Sequence, residues 1–257
     1  MMTLSRSSAL QEVDGINTMN LSCLLCYQAS PTPVCHWCES DIFFFSPLIH
    51  GSNLLGYGPV ASHVKHSHYD GLSLLGLHTW PMATLVHQFK FTHSLVSGKV
   101  LSHWFVHNKR HCTMSKPDLL LPVPISAWRL AHRHYNQATV IAKHLSKALS
   151  IPYFTGWARR KGFGSQHQLT KAARATHAAQ VFELSKKGLD QMISITKQKA
   201  LTVAIVDDVL TTGVTVNTLS KMLKARYPHI NIQVWAMTFT PPPKSTLMLE
   251  TPLTDKL

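Results

Sequence analysis

The sequence predicts an α/β fold, a parallel sheet flanked by helices and preceded by a small cysteine-bearing module. Three observations carry that expectation. Leu119–Val123 and Leu201–Val206 are short, almost continuously apolar runs, and Ile232–Phe239 is a third, mostly apolar. Strands buried on both faces of a parallel sheet read this way rather than as alternations. Stretches of helical periodicity lie between these runs, and such alternation argues for parallel β-α-β units. Upstream of all of them stand two C-x2-C pairs.

In chain order, residues 1–20 read as a flexible tail and residues 21–77 as a zinc-ribbon region. Within that region Gly51, Gly56, Gly58, Gly71 and Gly76 suggest turns and short strands rather than helices. The larger domain is expected over residues 78–243. Val86, Phe89, Leu95, Val96, Val100, Trp104 and Phe105 recur at helical spacing within Leu85–His107. Leu119–Val123 is a strand closed by prolines. Asn136–Leu149 is a helix with Val140, Ile141, Leu145 and Ala148 on one face. Leu201–Val206 is a strand, and Thr215–Arg226 is a helix that stops before Pro228. Ile232–Phe239 is the last strand, and Pro241-Pro242-Pro243 closes the domain. Residues 244–257 read as a tail.

With 257 residues, 45% of them apolar, the chain can bury a core, which excludes global disorder. It holds no run of about 18 apolar residues, so no membrane span is expected. Met1–Asn20 is polar and lacks the apolar region of a signal peptide. A cytoplasmic location with reduced cysteines is therefore expected. The net charge of +13 is unevenly spread: residues 1–75 hold two basic and five acidic residues, residues 76–243 hold 21 and five. A basic field of this kind attracts phosphates, on a nucleotide-like ligand or on a nucleic acid. A merely soluble cationic surface is the alternative.

Cys23-Leu24-Leu25-Cys26 and Cys35-His36-Trp37-Cys38 are separated by eight residues. Each C-x2-C turn places two thiolates on one side of a knuckle, and two knuckles complete a tetrahedral Zn²⁺ site. Two disulfides would need an oxidising compartment, for which the sequence offers no sign. His36 and His50 are alternative ligands, though four cysteines suffice. A closed four-cysteine site is structural, because no coordination position is left for catalysis. Cys112 stands alone and reads as a structural thiol.

The run Ile205-Val206-Asp207-Asp208-Val209-Leu210-Thr211-Thr212-Gly213-Val214-Thr215 carries the chemistry. Ligands of open α/β sheets bind at the carboxyl ends of strands. There, Asp207 and Asp208 can accept hydrogen bonds from vicinal ribose hydroxyls or orient a metal-bound pyrophosphate. Thr211, Thr212, Gly213 and Thr215 then present hydroxyls and backbone N–H groups at a helix N-terminus, which suits an anion. Gly213 lets the backbone approach a phosphate closely. The run is not a Walker P-loop, since no lysine follows the glycine. Ordinary turn and N-cap duty for Asp208 and Thr211 is the bland alternative, and it leaves the combination of residues unexplained.

Val203–Thr215 resembles the phosphoribosyl-pyrophosphate (PRPP) motif of type I phosphoribosyltransferases. Together with the cysteine pairs, the chain resembles the ComF family, in which a zinc-ribbon region is fused to a type I phosphoribosyltransferase domain. Pro122-Val123-Pro124 with Arg129 and Arg133, then Asn136-Gln137-Ala138, is similar to the family's P-V-P segment and the residues that succeed it. Gln166, Leu169, Arg174 and Phe182 match its Q-x-x-L, arginine and phenylalanine block. The resemblance covers about residues 21–240. Three positions depart from it: His134 stands where the family has glycine, Phe163 where it has threonine, and His177 where it has asparagine. A position needing φ > 0 suits histidine less well than glycine, though better than most residues. With only four cysteine ligands, any second ribbon is expected to be metal-free.

The resemblance implies that Asp207 and Asp208 hold ribose hydroxyls and that Thr211, Thr212, Gly213 and Thr215 cradle the 5-phosphate. It implies Mg²⁺ with PRPP and structural Zn²⁺. Arg129, Arg133, Arg159, Arg160 and Lys161 are candidates for a pyrophosphate-facing or closing loop, with a solvated basic loop as the alternative. Single-stranded DNA and proteins of a DNA-uptake helicase or channel are the implied partners. Three readings stay open: a phosphoribosyltransferase of unassigned acceptor, in DNA uptake or in salvage; a PRPP sensor that binds single-stranded DNA; and a zinc-ribbon interaction protein with a vestigial domain. No general base stands out in the sequence.

Overall fold

The computed structural model of the chain describes residues 22–161, 181–185, 189–190 and 201–241. Helix α1 (His36–Ser40) follows the first knuckle. Helix α2 (Pro47–His50), a 3₁₀ turn (Leu54–Gly56) and helix α3 (Gly58–Ala61) then lead to strand β1 (Gly71–Leu77). Both α2 and α3 carry proline in their first turn, where the missing N–H would have had no helical partner.

The expected zinc-ribbon region of residues 21–77 thus ends inside the main sheet, because every residue of β1 is buried. Within β1, Gly71 and Gly76 make room rather than turns, whereas Gly51 closes α2 with φ 85°. A Cβ on Gly76 would stand 2.5 Å from the carbonyl oxygen of Phe43 and 2.9 Å from the Met82 methyl.

The helical stretch expected over Leu85–His107 is two helices, α4 (Met82–Phe91) and α5 (Leu95–Lys109). The break falls where His93 takes a left-handed φ of 57° and Ser94 caps α5 by accepting from the N–H of Ser97. After β2 (Leu119–Pro122) come α6 (Ala127–Arg133), α7 (Gln137–Leu149) and the short strands β3 (Ala158–Arg160) and β4 (Phe182–Leu184). Strand β5 (Thr202–Leu210), helix α8 (Val214–Arg226) and strand β6 (Asn231–Phe239) complete the described chain.

Four strands pair in the order β1-β6-β5-β2, all parallel, as the unbroken apolar runs imply. Strands β3 and β4 form a separate antiparallel ribbon. Two carboxylates pin the N-terminal edge of the sheet. Asp70 accepts from the Ile232 N–H (2.8 Å) and from Lys224 Nζ (2.7 Å), and Asp118 accepts from the Thr202 N–H (2.9 Å).

A core lies on each side of the sheet. Ile141, Ala142 and Leu145 of α7 pack with Ala204 and Val206 on one side; Val216, Leu219 and Leu223 of α8 pack with Val203 and Ile205 on the other. The helices that follow neighbouring strands β2 and β5 therefore leave on opposite faces. The carboxyl ends of β2 and β5 are therefore the candidate crevice, because open α/β sheets bind ligands where the strand order switches direction in this way. No helix among the described residues is long and apolar enough to cross a membrane.

Candidate functional site

Strand β5 runs beyond the apolar stretch to Leu210, so Asp207 and Asp208 sit within its carboxyl-terminal part. Asp208 is 8% exposed and lies on the side of α4, where Lys90 Nζ stands 3.1 Å from its Oδ2. Asp207 is half-buried and accepts from the Asp208 N–H (2.9 Å). Desolvation, and then the negative charge of Asp208, raise the Asp207 carboxyl well above its ordinary value. The pair thus carries one carboxylate that Lys90 neutralises and one that resists ionisation. An ionised carboxylate accepts from hydroxyl donors, and a protonated one can donate to them as well.

The next residues turn sharply. Gly213 adopts φ +69°, a left-handed conformation that favours glycine, and any Cβ there would stand 2.9 Å from the Lys65 carbonyl oxygen. The Lys65 N–H donates to the Thr212 carbonyl (2.9 Å), and the His68 N–H donates to Asn217 Oδ1 (3.1 Å). Residues preceding β1 thereby brace the turn from one side. No side chain caps α8, which leaves N–H groups of its first turn for an anion. Thr211 and Thr212 are exposed and Thr215 is half-buried beside them.

The ends of β1 and β6 add His78 and Thr238. His78 follows β1, and its Nδ1 lies 3.1 Å from Thr238 Oγ1, which donates to the Asp208 carbonyl (3.3 Å). Along the β2 side, Asn136 caps α7 by accepting from the Ala138 N–H and donates to the Val123 carbonyl (2.9 Å). That bond ties the loop after β2, which carries α6, to the start of α7.

The five basic candidates separate into groups. Arg133 lies over the Phe91 ring at 5.2 Å, one residue from Lys90. Arg129 is exposed, and its charge together with burial lowers the pKa of half-buried Arg160, burial being the larger cause. Arg159 instead donates to Glu183 from two nitrogens (3.0 and 2.8 Å), and Lys161 lies 3.8 Å from the same carboxylate. Trp157 is a core residue, wholly buried and donating to the Pro122 carbonyl (2.8 Å). Trp128 is 75% exposed on α6 and stacks on His132. His134 has φ 61°, so it does occupy a left-handed position. Gln166, Leu169, Arg174, Phe163 and His177 lie outside the described residues, as do the two tails.

The cysteines form a second centre. Thiolates about 2.3 Å from one Zn²⁺ stand about 3.8 Å apart. The sulfurs of Cys26 and Cys35 are 3.7 Å apart, and those of Cys23, Cys26, Cys35 and Cys38 all lie within 4.8 Å of one another. The four therefore fit a tetrahedral zinc ion. Burial raises the Cys23 thiol, but backbone donors from Cys26, Cys35 and Leu25 outweigh it and bring it down to about 7. Cys23 and Cys38 share a core with Leu85 and Phe89 of α4, and Gln88 of α4 donates to the Leu24 carbonyl (2.8 Å). The knuckles thus stand against the helix that carries Lys90.

No family model matches the chain. Competence protein F of Haemophilus influenzae is 28% identical over 233 residues, which span 86% of this chain and 98% of that protein. The chain is similar to competence protein F over most of its length. DNA utilization protein YhgH of Salmonella typhimurium is 28% identical over 170 residues, 63% of this chain and 69% of the relative. YhgH of Escherichia coli K12 is 28% identical over 167 residues. Among solved structures, adenine phosphoribosyltransferase from Leishmania tarentolae aligns with 66% of this chain and 91% of its own, at TM-score 0.38 and 13% identity.

Two residues at the crevice escape a reading of the sequence alone. Lys90, within Phe89-Lys90-Phe91, looks like a surface lysine between core positions, and only the packing of α4 brings it to Asp208. His78 marks the end of β1, whose buried character the glycines hide.

Proposed function

We propose that the crevice binds PRPP with Mg²⁺, as a type I phosphoribosyltransferase site does. The observation that carries the reading is the continuity from the acidic pair of β5, through left-handed Gly213, into the uncapped N-terminus of α8. Asp207 and Asp208 hold the ribose hydroxyls. Thr211, Thr212, Gly213 and Thr215 surround the 5-phosphate, and the loop after β2 faces the pyrophosphate, with Arg129, Arg133 and Arg160 supplying positive charge. Mg²⁺ bound with the ligand would neutralise charge on its pyrophosphate. Zn²⁺ on Cys23, Cys26, Cys35 and Cys38 staples the N-terminal module. Thermal unfolding tests the site: Mg-PRPP at about 100 times its Kd adds about 2.7 kcal/mol of stability. Absence of any shift would remove the reading.

Relatives named for competence and for DNA utilization support a role in the uptake or use of imported DNA. A second reading, a PRPP sensor that binds single-stranded DNA, is favoured by exposed Trp128 beside Arg129 and Arg133. Stacking on an aromatic ring is worth about 1–3 kcal/mol per base. Trp128→Ala therefore weakens binding of a labelled single-stranded oligonucleotide by about tenfold, and binding falls steeply with salt. A flat salt response would dismiss this second reading.

A further inference from the structure

Thr238 is wholly buried and has one hydroxyl proton. Its Oγ1 lies between two groups, the Asp208 carbonyl at 3.3 Å and His78 Nδ1 at 3.1 Å. The hydroxyl donates to the Asp208 carbonyl, which commits its single proton there. Thr238 is then an acceptor toward His78, and Nδ1 must carry the ring proton. In the neutral ring this leaves Nε2 with an open lone pair.

Resting on the phosphoribosyl reading, we propose that His78 Nε2 is the proton acceptor for the nucleophile, a ring N–H or an amine. The acceptor nitrogen forms a bond to C1 of the ribose as the C1–O bond to pyrophosphate breaks. The electron pair of that bond leaves on the pyrophosphate oxygen, and the proton of the attacking N–H passes to His78 Nε2. The proton then leaves to solvent, which restores the neutral ring. Asp208 and Lys90 are the charged groups that act on the imidazole. Burial first, and Lys90 next, lower its pKa, and Asp208 only partly offsets them, so the ring is neutral at pH 7.

The test uses the full-length, zinc-loaded protein with Mg-PRPP and a panel of nucleobases and amines. His78→Asn places an amide N–H where Nδ1 was, keeping the donor to Thr238 while removing Nε2. Mg-PRPP affinity stays within about threefold of wild type, and pyrophosphate release drops by about 10²–10⁴-fold, the usual worth of a general base. The acid limb of the wild-type pH–rate profile disappears, and added imidazole restores release by His78→Ala. Nitrogen NMR of the ring shows Nδ1 protonated and Nε2 bare. Release by His78→Asn within threefold of wild type overturns the proposal. So does the opposite tautomer, or wild-type protein that binds Mg-PRPP yet releases pyrophosphate with no acceptor. Wild-type protein that fails to bind Mg-PRPP overturns the phosphoribosyl reading itself, and this proposal with it.

Discussion

Lys90 of α4 and Asp208 of β5 form an ion pair at 3.1 Å, with side chains only 18% and 12% exposed. The pair joins the helix braced by the cysteine knuckles to the strand end that carries the acidic residues. Lys90→Met leaves Asp208 buried without a counter-charge and lowers stability by about 1–3 kcal/mol. The combined Lys90→Met, Asp208→Asn protein recovers much of that loss, since removing both charges costs less than orphaning one. Urea unfolding of the four proteins measures the coupling; simple additivity would show that the pair contributes nothing.

Asp207→Asn raises the melting temperature at pH 7 while weakening Mg-PRPP. The folded-state pKa of Asp207 lies above its ordinary value of 3.8, so the folded protein holds a proton that the unfolded chain has released. Stability contributed by this group is therefore present at low pH and falls as pH rises from about 4 through the raised value. Asparagine removes that slope. Thermal unfolding between pH 4 and 8 checks it, and a slope unchanged in the variant would place the ionisation elsewhere.

His134→Gly stabilises the protein by about 1 kcal/mol, because a left-handed residue with a Cβ is strained and glycine there is not. His134 closes α6 with φ 61°, donating its N–H to the Leu130 carbonyl. Chemical denaturation reads the change, and a loss of stability would mean that the ring contact between His134 and His93 outweighs the backbone strain.

Cys35→Ser abolishes zinc binding, measured as one ion per chain in the wild type by elemental analysis. It also loosens α4, since Gln88 and Leu85 rest on the knuckles. Hydrogen exchange of α4 amides rises with the loss of metal. Unchanged protection of α4 in the metal-free protein would show that the module is an independent appendage.

Much of the sheet is legible in the sequence, for a physical reason. Strands β2, β5 and β6 are buried on both faces, so their apolar runs announce them, and the turn at Gly213 is marked by residue types with few other uses. Strand β1 hides because Gly71 and Gly76 serve close packing, a need that sequence cannot distinguish from turn formation. Lys90 and His78 hide for another reason. Their significance comes from distances to Asp208 and Thr238, which lie more than a hundred residues away along the chain. Local spacing carries no trace of such contacts. The basic candidates are legible as a set, but their partition needs Glu183, which draws Arg159 and Lys161 into a surface ion pair.

Calorimetric titration of Mg-PRPP into the wild-type protein and into Asp207→Ala, Asp208→Ala tests the central claim most directly. A phosphoribosyl site at the end of β5 predicts one bound ligand per chain in the wild type and no measurable heat in the double variant, with the variant still folded by circular dichroism. Equal affinity in the two proteins would contradict it.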